Sequence, residues 1–147
     1  MARLFKKILC PIDFDEQSIA ALRFACNLAE DSDATVYVMH ALSVTLPSPE
    51  YRLKPSPAAA EENTKREMEK IARKQLGRKV RHELVTRIGK PADAILKVAE
   101  DLDADLIVIA THGRKGVTRL FLGSVAERVI RASKRPVLMV PPGELAS

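Results

Sequence analysis

The sequence predicts an α/β protein, three layers deep, with a mostly parallel five-stranded sheet between helices. Three observations carry this expectation. Strand-like and helix-like segments alternate almost without exception along the chain. The run Leu106-Ile107-Val108-Ile109-Ala110 is apolar throughout, as in a strand buried on both faces. The length, 147 residues, suits one domain spanning 1–147 that is able to bury a core, and no internal repeat interrupts it. Crossovers between parallel strands are expected to be right-handed.

The elements follow in order. Lys7-Ile8-Leu9-Cys10-Pro11 reads as a short buried strand. From Ser18, Ile19, Leu22, Ala25, Cys26 and Ala29 recur at helical spacing, with Asp15 and Glu16 suited to the positive end of the helix dipole. Asp31-Ser32-Asp33 breaks the pattern, and Val36-Tyr37-Val38-Met39 forms a second strand. Residues 43 to 57 hold Pro47, Pro49, Pro55 and Pro57 and read as an extended connection. A helix from about Ala58 to Leu76 places Met68, Ile71, Ala72 and Leu76 on one face, and Gly77 closes it.

Val80 to Ile88 alternates, with Arg81, Glu83 and Arg87 opposite Val80, Leu84 and Ile88. That pattern predicts a half-exposed strand at a sheet edge. Pro91 follows Gly89-Lys90 at a position where a first helical turn tolerates proline. Its helix carries Ile95, Val98, Ala99 and Leu102 inward and leads to the apolar strand at 106–110. Val125, Val129 and Ile130 mark a last helix, Val137 to Val140 a fifth strand, and Pro141-Pro142 ends it.

Composition narrows the function. Apolar residues make up 46% and charged residues 29%, the balance of a folded chain rather than a disordered one. No apolar run approaches the roughly 20 residues of a membrane-spanning helix. The opening Met-Ala-Arg-Leu-Phe-Lys-Lys turns directly into a strand-like segment with no secretory pattern, so the expected compartment is the cytoplasm. Cys10 and Cys26 lack metal-ligand spacing and fall among core-like residues, which predicts buried free thiols. The net charge of +5 permits binding to anions. Much of the excess lies in Lys65 to Arg81, alternating with Glu67 and Glu69 as on a solvated helix face. With two Tyr, four Phe and no Trp there is little to stack on bases, and no nucleic-acid partner is expected.

In open parallel sheets, ligands bind beyond the carboxyl ends of the strands, where the strand order reverses. The first and fourth strands are the most apolar and so the candidates for neighbours at that point. Past the first lies Pro11-Ile12-Asp13; past the fourth lies the stretch from Ala110 to Ser124. Glycines at 113, 116 and 123 allow backbone N–H groups to approach an anion. Gly123-Ser124 opens a helix whose unpaired N–H groups attract phosphate, and Arg114, Lys115 and Arg119 add positive charge. Two roles stay open at several of these positions. Ser124 serves equally as a plain helix cap, and His112 and the basic side chains as structural or solvated groups. Asp13 suits ribose hydroxyls as well as it suits capping of the first helix.

At these residues the chain resembles the universal stress protein family, from Lys6 to Val140. The likeness rests on Lys7-Ile8-Leu9-Cys10-Pro11-Ile12-Asp13-Phe14, His40-Ala41 and Gly89-Lys90-Pro91-Ala92 with Ile95. It continues through Gly123-Ser124-Val125-Ala126-Glu127 and Arg135-Pro136-Val137-Leu138-Met139-Val140. The ATP-binding members of the family carry glycine, two residues, glycine, nine residues, then glycine with serine or threonine. Gly113 and Gly123-Ser124 fit this pattern, whereas Ala110 replaces the first glycine with a residue one methyl group larger.

The resemblance implies a Rossmann-like sheet of order 3-2-1-4-5 in a single nucleotide-binding domain. It places Pro11, Ile12, Asp13 and Ala41 at the adenosine end, with Asp13 on the ribose, and makes Ile109 and Ala110 the neighbouring wall. His112 and Gly113 would border the phosphates, with Gly123, Ser124 and Val125 holding them. It also implies a homodimer paired through Val137 to Val140. The function expected is an ATP-binding regulatory protein of the stress response, with Mg²⁺ held by the phosphates and a protein client. No catalytic residue or metal ligand is assigned. The alternatives are a weak ATP hydrolase and a nucleotide-free interaction module.

Overall fold

The computed structural model describes residues 4–43, 57–111 and 122–142. In chain order the elements are β1 (Lys7–Pro11), α1 (Glu16–Ser32), β2 (Thr35–Leu42), α2 (Pro57–Leu76), β3 (Arg81–Ile88), α3 (Pro91–Leu102), β4 (Leu106–Ala110), α4 (Ser124–Ala132) and β5 (Val137–Val140). The strands form one sheet in the order β3-β2-β1-β4-β5, with every pairing parallel. All strands therefore point their carboxyl ends to the same edge: Pro11 lies beside Met39, and Ala110 beside Val140.

Each face of the sheet has its own helical layer. Ile8, Cys10, Val36, Val38 and Val108 pack against Leu22 and Ala25 of α1 and Met68 and Ala72 of α2. Leu9, Met39, Ile107 and Ile109 pack against Ile95 and Val98 of α3 and Val129 of α4. Alternate residues of β4 thus enter two different cores, which is why its sequence is apolar without a break. Cys10 and Cys26 are free and buried, and burial pushes both thiols up, with the charge of Glu30 adding to the effect at Cys26.

Some local expectations shift. Helix α1 begins two residues before Ser18, because Asp15 is its N-cap: Asp15 Oδ1 accepts from the Ser18 N–H at 3.0 Å. The apolar periodicity starts only after the capping turn, so it marks the helix late. Pro57 opens α2, in a first turn that has no N–H bond to lose. Gly77 ends it at φ 62°, its N–H donating to the Arg73 carbonyl. Strand β3 is an edge strand, as its alternation predicts. Its Val80-side face is held to α2 by Thr86 Oγ1 on Glu61 (2.8 Å) and His82 Nε2 with Glu69 (3.1 Å). Ile88, expected on that inward face, is 60% exposed because it lies at the far end of the strand, beyond the Glu61–Thr86 contact. The segment holding Pro47, Pro49 and Pro55 lies outside the described residues.

The chain leaves β1 toward β2 and β3 on one side and returns through α3 to β4 on the other. Strands β1 and β4 are therefore the pair at which the strand order reverses. The helices that follow them, α1 and α4, pack on opposite faces of the sheet, and a crevice lies between their starts at the carboxyl edge.

Candidate functional site

A cavity of about 280 Å³ occupies this crevice. Its floor is the turn after β1, where Pro11, Ile12 and Asp13 line it. Ile12 is buried, and its N–H donates to the Met39 carbonyl at 2.7 Å, extending the β1–β2 pairing by one residue. Asp13 is exposed, its Oδ1 accepting from the Asp15 N–H at 3.1 Å. The capping of α1 belongs to Asp15, so the carboxylate of Asp13 is not the helix cap. Burial, with the Asp13 carboxylate alongside, raises the Asp15 pKa above the ordinary aspartate value, while the bond from the Ser18 amide works against the shift. Asp15 Oδ2 is buried without a hydrogen-bond partner among the described residues.

The end of β2 supplies Ala41 and His40. His40 Nδ1 lies 2.7 Å from the Ile12 carbonyl oxygen. A carbonyl only accepts, so Nδ1 carries the hydrogen. From the other face, Pro91 and Ile95 of α3 add an apolar wall, continued by Ile109 and Ala110 of β4. The wall is of the kind that excludes water from the flat faces of an organic ligand.

The fourth side is the start of α4. The chain leaves β4 through Thr111 and re-enters at Gly123, and the two are tied by a bond from the Gly123 N–H to the Thr111 carbonyl at 2.6 Å. Gly123 is the N-cap residue, at φ −63° and ψ 154°, and has no side chain to make a capping bond. Ser124 is thus the first helical residue and not the cap. The first intrahelical bond runs from the Glu127 N–H to the Gly123 carbonyl. The N–H groups of Ser124, Val125 and Ala126 precede it, and all three residues line the cavity. Such a terminus attracts an anion through its N–H groups and its dipole.

The structure therefore brings Pro11, Ile12, Asp13, Ala41, Ile109, Ala110, Gly123, Ser124 and Val125 to one cavity. His112 and Gly113 lie outside the described residues, as do Gly116 and the basic Arg114, Lys115 and Arg119. Residues that reasoning from sequence did not place in the site are Ser18, His40, Pro91, Ile95, Thr111 and Ala126. Ile95 was expected simply as an inward core residue, and a cavity wall and a core have the same apolar pattern in sequence. Among the described residues no group of three or more His, Cys, Asp or Glu side chains is arranged to hold a metal ion. No helix among them is long and apolar enough to cross a membrane.

Fold and crevice together define an α/β protein with a cavity at the topological switch point of a doubly wound parallel sheet. Comparison with known proteins makes the assignment specific. The universal stress protein family matches residues 4–141, and the chain belongs to this family. Universal stress protein MJ0531 of Methanocaldococcus jannaschii is 38% identical over 143 residues, covering 93% of this chain and 82% of its own. Two solved structures share the fold. One is a universal stress protein in complex with cAMP: 26% identical, TM-score 0.68, with 93% of this chain and 97% of that one covered. The other is the universal stress protein from Archaeoglobus fulgidus in complex with dAMP: 27% identical, TM-score 0.64, with 92% and 98% covered.

Proposed function

We propose that this chain is a nucleotide-binding regulatory protein of the stress response, acting as a single domain, and that its ligand is ATP. The reading is carried by one observation: a helix N-terminus whose N-cap residue is a glycine opens into a cavity at the switch point of the sheet. Complexes of related proteins with cAMP and dAMP support an adenine nucleotide as the ligand class. In this reading the base lies between Ala41 and Ile109, and Asp13 accepts from the ribose hydroxyls. Gly123, Ser124 and Val125 hold the phosphates, bordered by His112 and Gly113. The methyl group of Ala110 lies where a glycine would allow closer approach. Mg²⁺ enters on the phosphates rather than on protein ligands.

The same reading makes the protein a cytoplasmic homodimer. Strand β5 forms one edge of the sheet, and Met139 on it is 40% exposed, so a second copy pairing there would cover an open edge. ATP binding changes the surface offered to a protein client. The function proposed is binding, with at most slow ATP hydrolysis.

The test is thermal unfolding of the purified protein with ATP, AMP and cyclic AMP. A ligand present at 100 times its Kd stabilises by about 2.7 kcal/mol, which raises Tm by several degrees. Gly123→Val, whose backbone angles suit valine, should remove that rise because its side chain blocks the helix N-terminus. An unchanged Tm in the wild-type protein, or a rise retained in Gly123→Val, would overturn the assignment.

A further inference from the structure

Ile12 and Asp13 lie beyond the last residue of β1; the Ile12 N–H still joins the ladder at the Met39 carbonyl, and Asp13 lies past that bond. Two side chains from other elements hold the peptide between them. His40 Nδ1–H donates to the Ile12 carbonyl at 2.7 Å, across 28 residues of sequence. The Ser18 hydroxyl accepts from the Asp13 N–H at 3.1 Å and donates to the Asp15 carbonyl at 3.1 Å. Ser18 is only 5% exposed, so water is a poor substitute for either bond.

Between these supports the chain takes an unfavourable conformation. Phe14 has φ 69°, a left-handed conformation that a bulky residue adopts only when its surroundings enforce it. Its ring packs on the His40 imidazole at a centroid distance of 4.7 Å. His40 therefore holds the turn twice, through its Nδ1–H and through its ring face. Ser18 holds the N–H side of the same Ile12–Asp13 peptide whose carbonyl His40 holds. Together they fix the plane from which the Asp13 carboxylate projects into the cavity.

We infer that Ser18 and His40 are positioning residues of the nucleotide site, setting the Asp13 carboxylate through its backbone. The inference rests on the nucleotide reading for its effect on affinity, but its structural core does not. Loss of one such bond corresponds to roughly three- to tenfold weaker binding. Ser18→Ala and His40→Ala should each weaken ATP binding on that scale. Either change should have little further effect in an Asp13→Ala background, because both act through Asp13. His40→Asn keeps an N–H donor near the Nδ1 position and should recover most of what His40→Ala loses. His40→Gln, which mimics the other ring nitrogen, should not.

A second measurement needs no ligand. The long-range ¹H–¹⁵N spectrum of the imidazole in the free protein should show Nδ1 protonated, and the Asp13 amide should exchange faster in Ser18→Ala. If wild-type protein binds no nucleotide, the functional reading falls, while tautomer and exchange still judge the positioning. A proton on Nε2 in neutral His40, unchanged Asp13 exchange in Ser18→Ala, or additive losses in the Asp13→Ala background would each overturn the inference.

Discussion

Two helices start at the carboxyl edge of the sheet beside its switch point, and they start differently. Helix α1 is capped from within the chain: Asp15 Oδ1 accepts from the Ser18 N–H, and a carboxylate sits at the positive end of the dipole. Helix α4 begins at Gly123, an N-cap residue with no side chain to bond the N–H groups of the first turn. The first helix needs nothing further at its N-terminus. The second presents N–H groups and partial positive charge to a cavity. In the proposed function the contrast separates support from recognition: the turn before α1 holds Asp13, and the start of α4 is the place proposed for the anion.

The strongest way to break this contrast is to give α4 its own carboxylate. Gly123→Asp is expected to stabilise the fold by a few tenths of a kcal/mol, the difference between glycine and aspartate at an N-cap. It should weaken ATP binding by about tenfold or more, since the attraction of a helix terminus for an anion reaches ~2 kcal/mol and would now be met by a like charge. Denaturant unfolding and an ATP titration on the same sample check both halves. Asp13→Asn comes next: removing the charge proposed to accept from the ribose should weaken ATP roughly tenfold, on the scale of a hydrogen bond to a charged group. Stability should barely change, because Asp13 is exposed and is not the helix cap.

The converse changes act on α1. Asp15→Ala removes its cap and should cost about 1 kcal/mol of stability, read by denaturant unfolding. The smallest effect is a pH dependence. The Asp15 pKa is raised in the folded state, burial being the main cause. The stability it contributes is therefore complete below the ordinary aspartate value near 3.8, and is lost as pH rises through the raised value. Asp15→Asn keeps the capping acceptor and removes the titration, so its stability should vary less with pH across that window than that of the wild type.

Much of this could be read in the residues themselves. Strand β4 was legible because burial on both faces demands an unbroken apolar run, and β3 because an edge strand alternates. The crevice was legible because both its loops follow apolar strands. Which residue caps which helix was not. Asp13 and Asp15 both suit the start of α1, and Gly123 and Ser124 both suit the start of α4. Choosing between them requires the path of the backbone. His40 escaped assignment to the site for a related reason. Its bond to the Ile12 carbonyl joins two strand ends 28 residues apart, and no local pattern announces it. Pro91 and Ile95 line the cavity from α3, but their spacing reads as an ordinary core face.

The central claim is that the start of α4, with glycine at its N-cap, holds the phosphates of an adenine nucleotide. Calorimetric titration of ATP into the wild-type protein and into Gly123→Asp tests it most directly. The account predicts saturable binding to the wild type and a loss of about tenfold or more in the variant, with AMP losing less than ATP because it presents fewer phosphate charges to the new carboxylate. Equal affinity of ATP for the two proteins, or no heat of binding to the wild type, would contradict it.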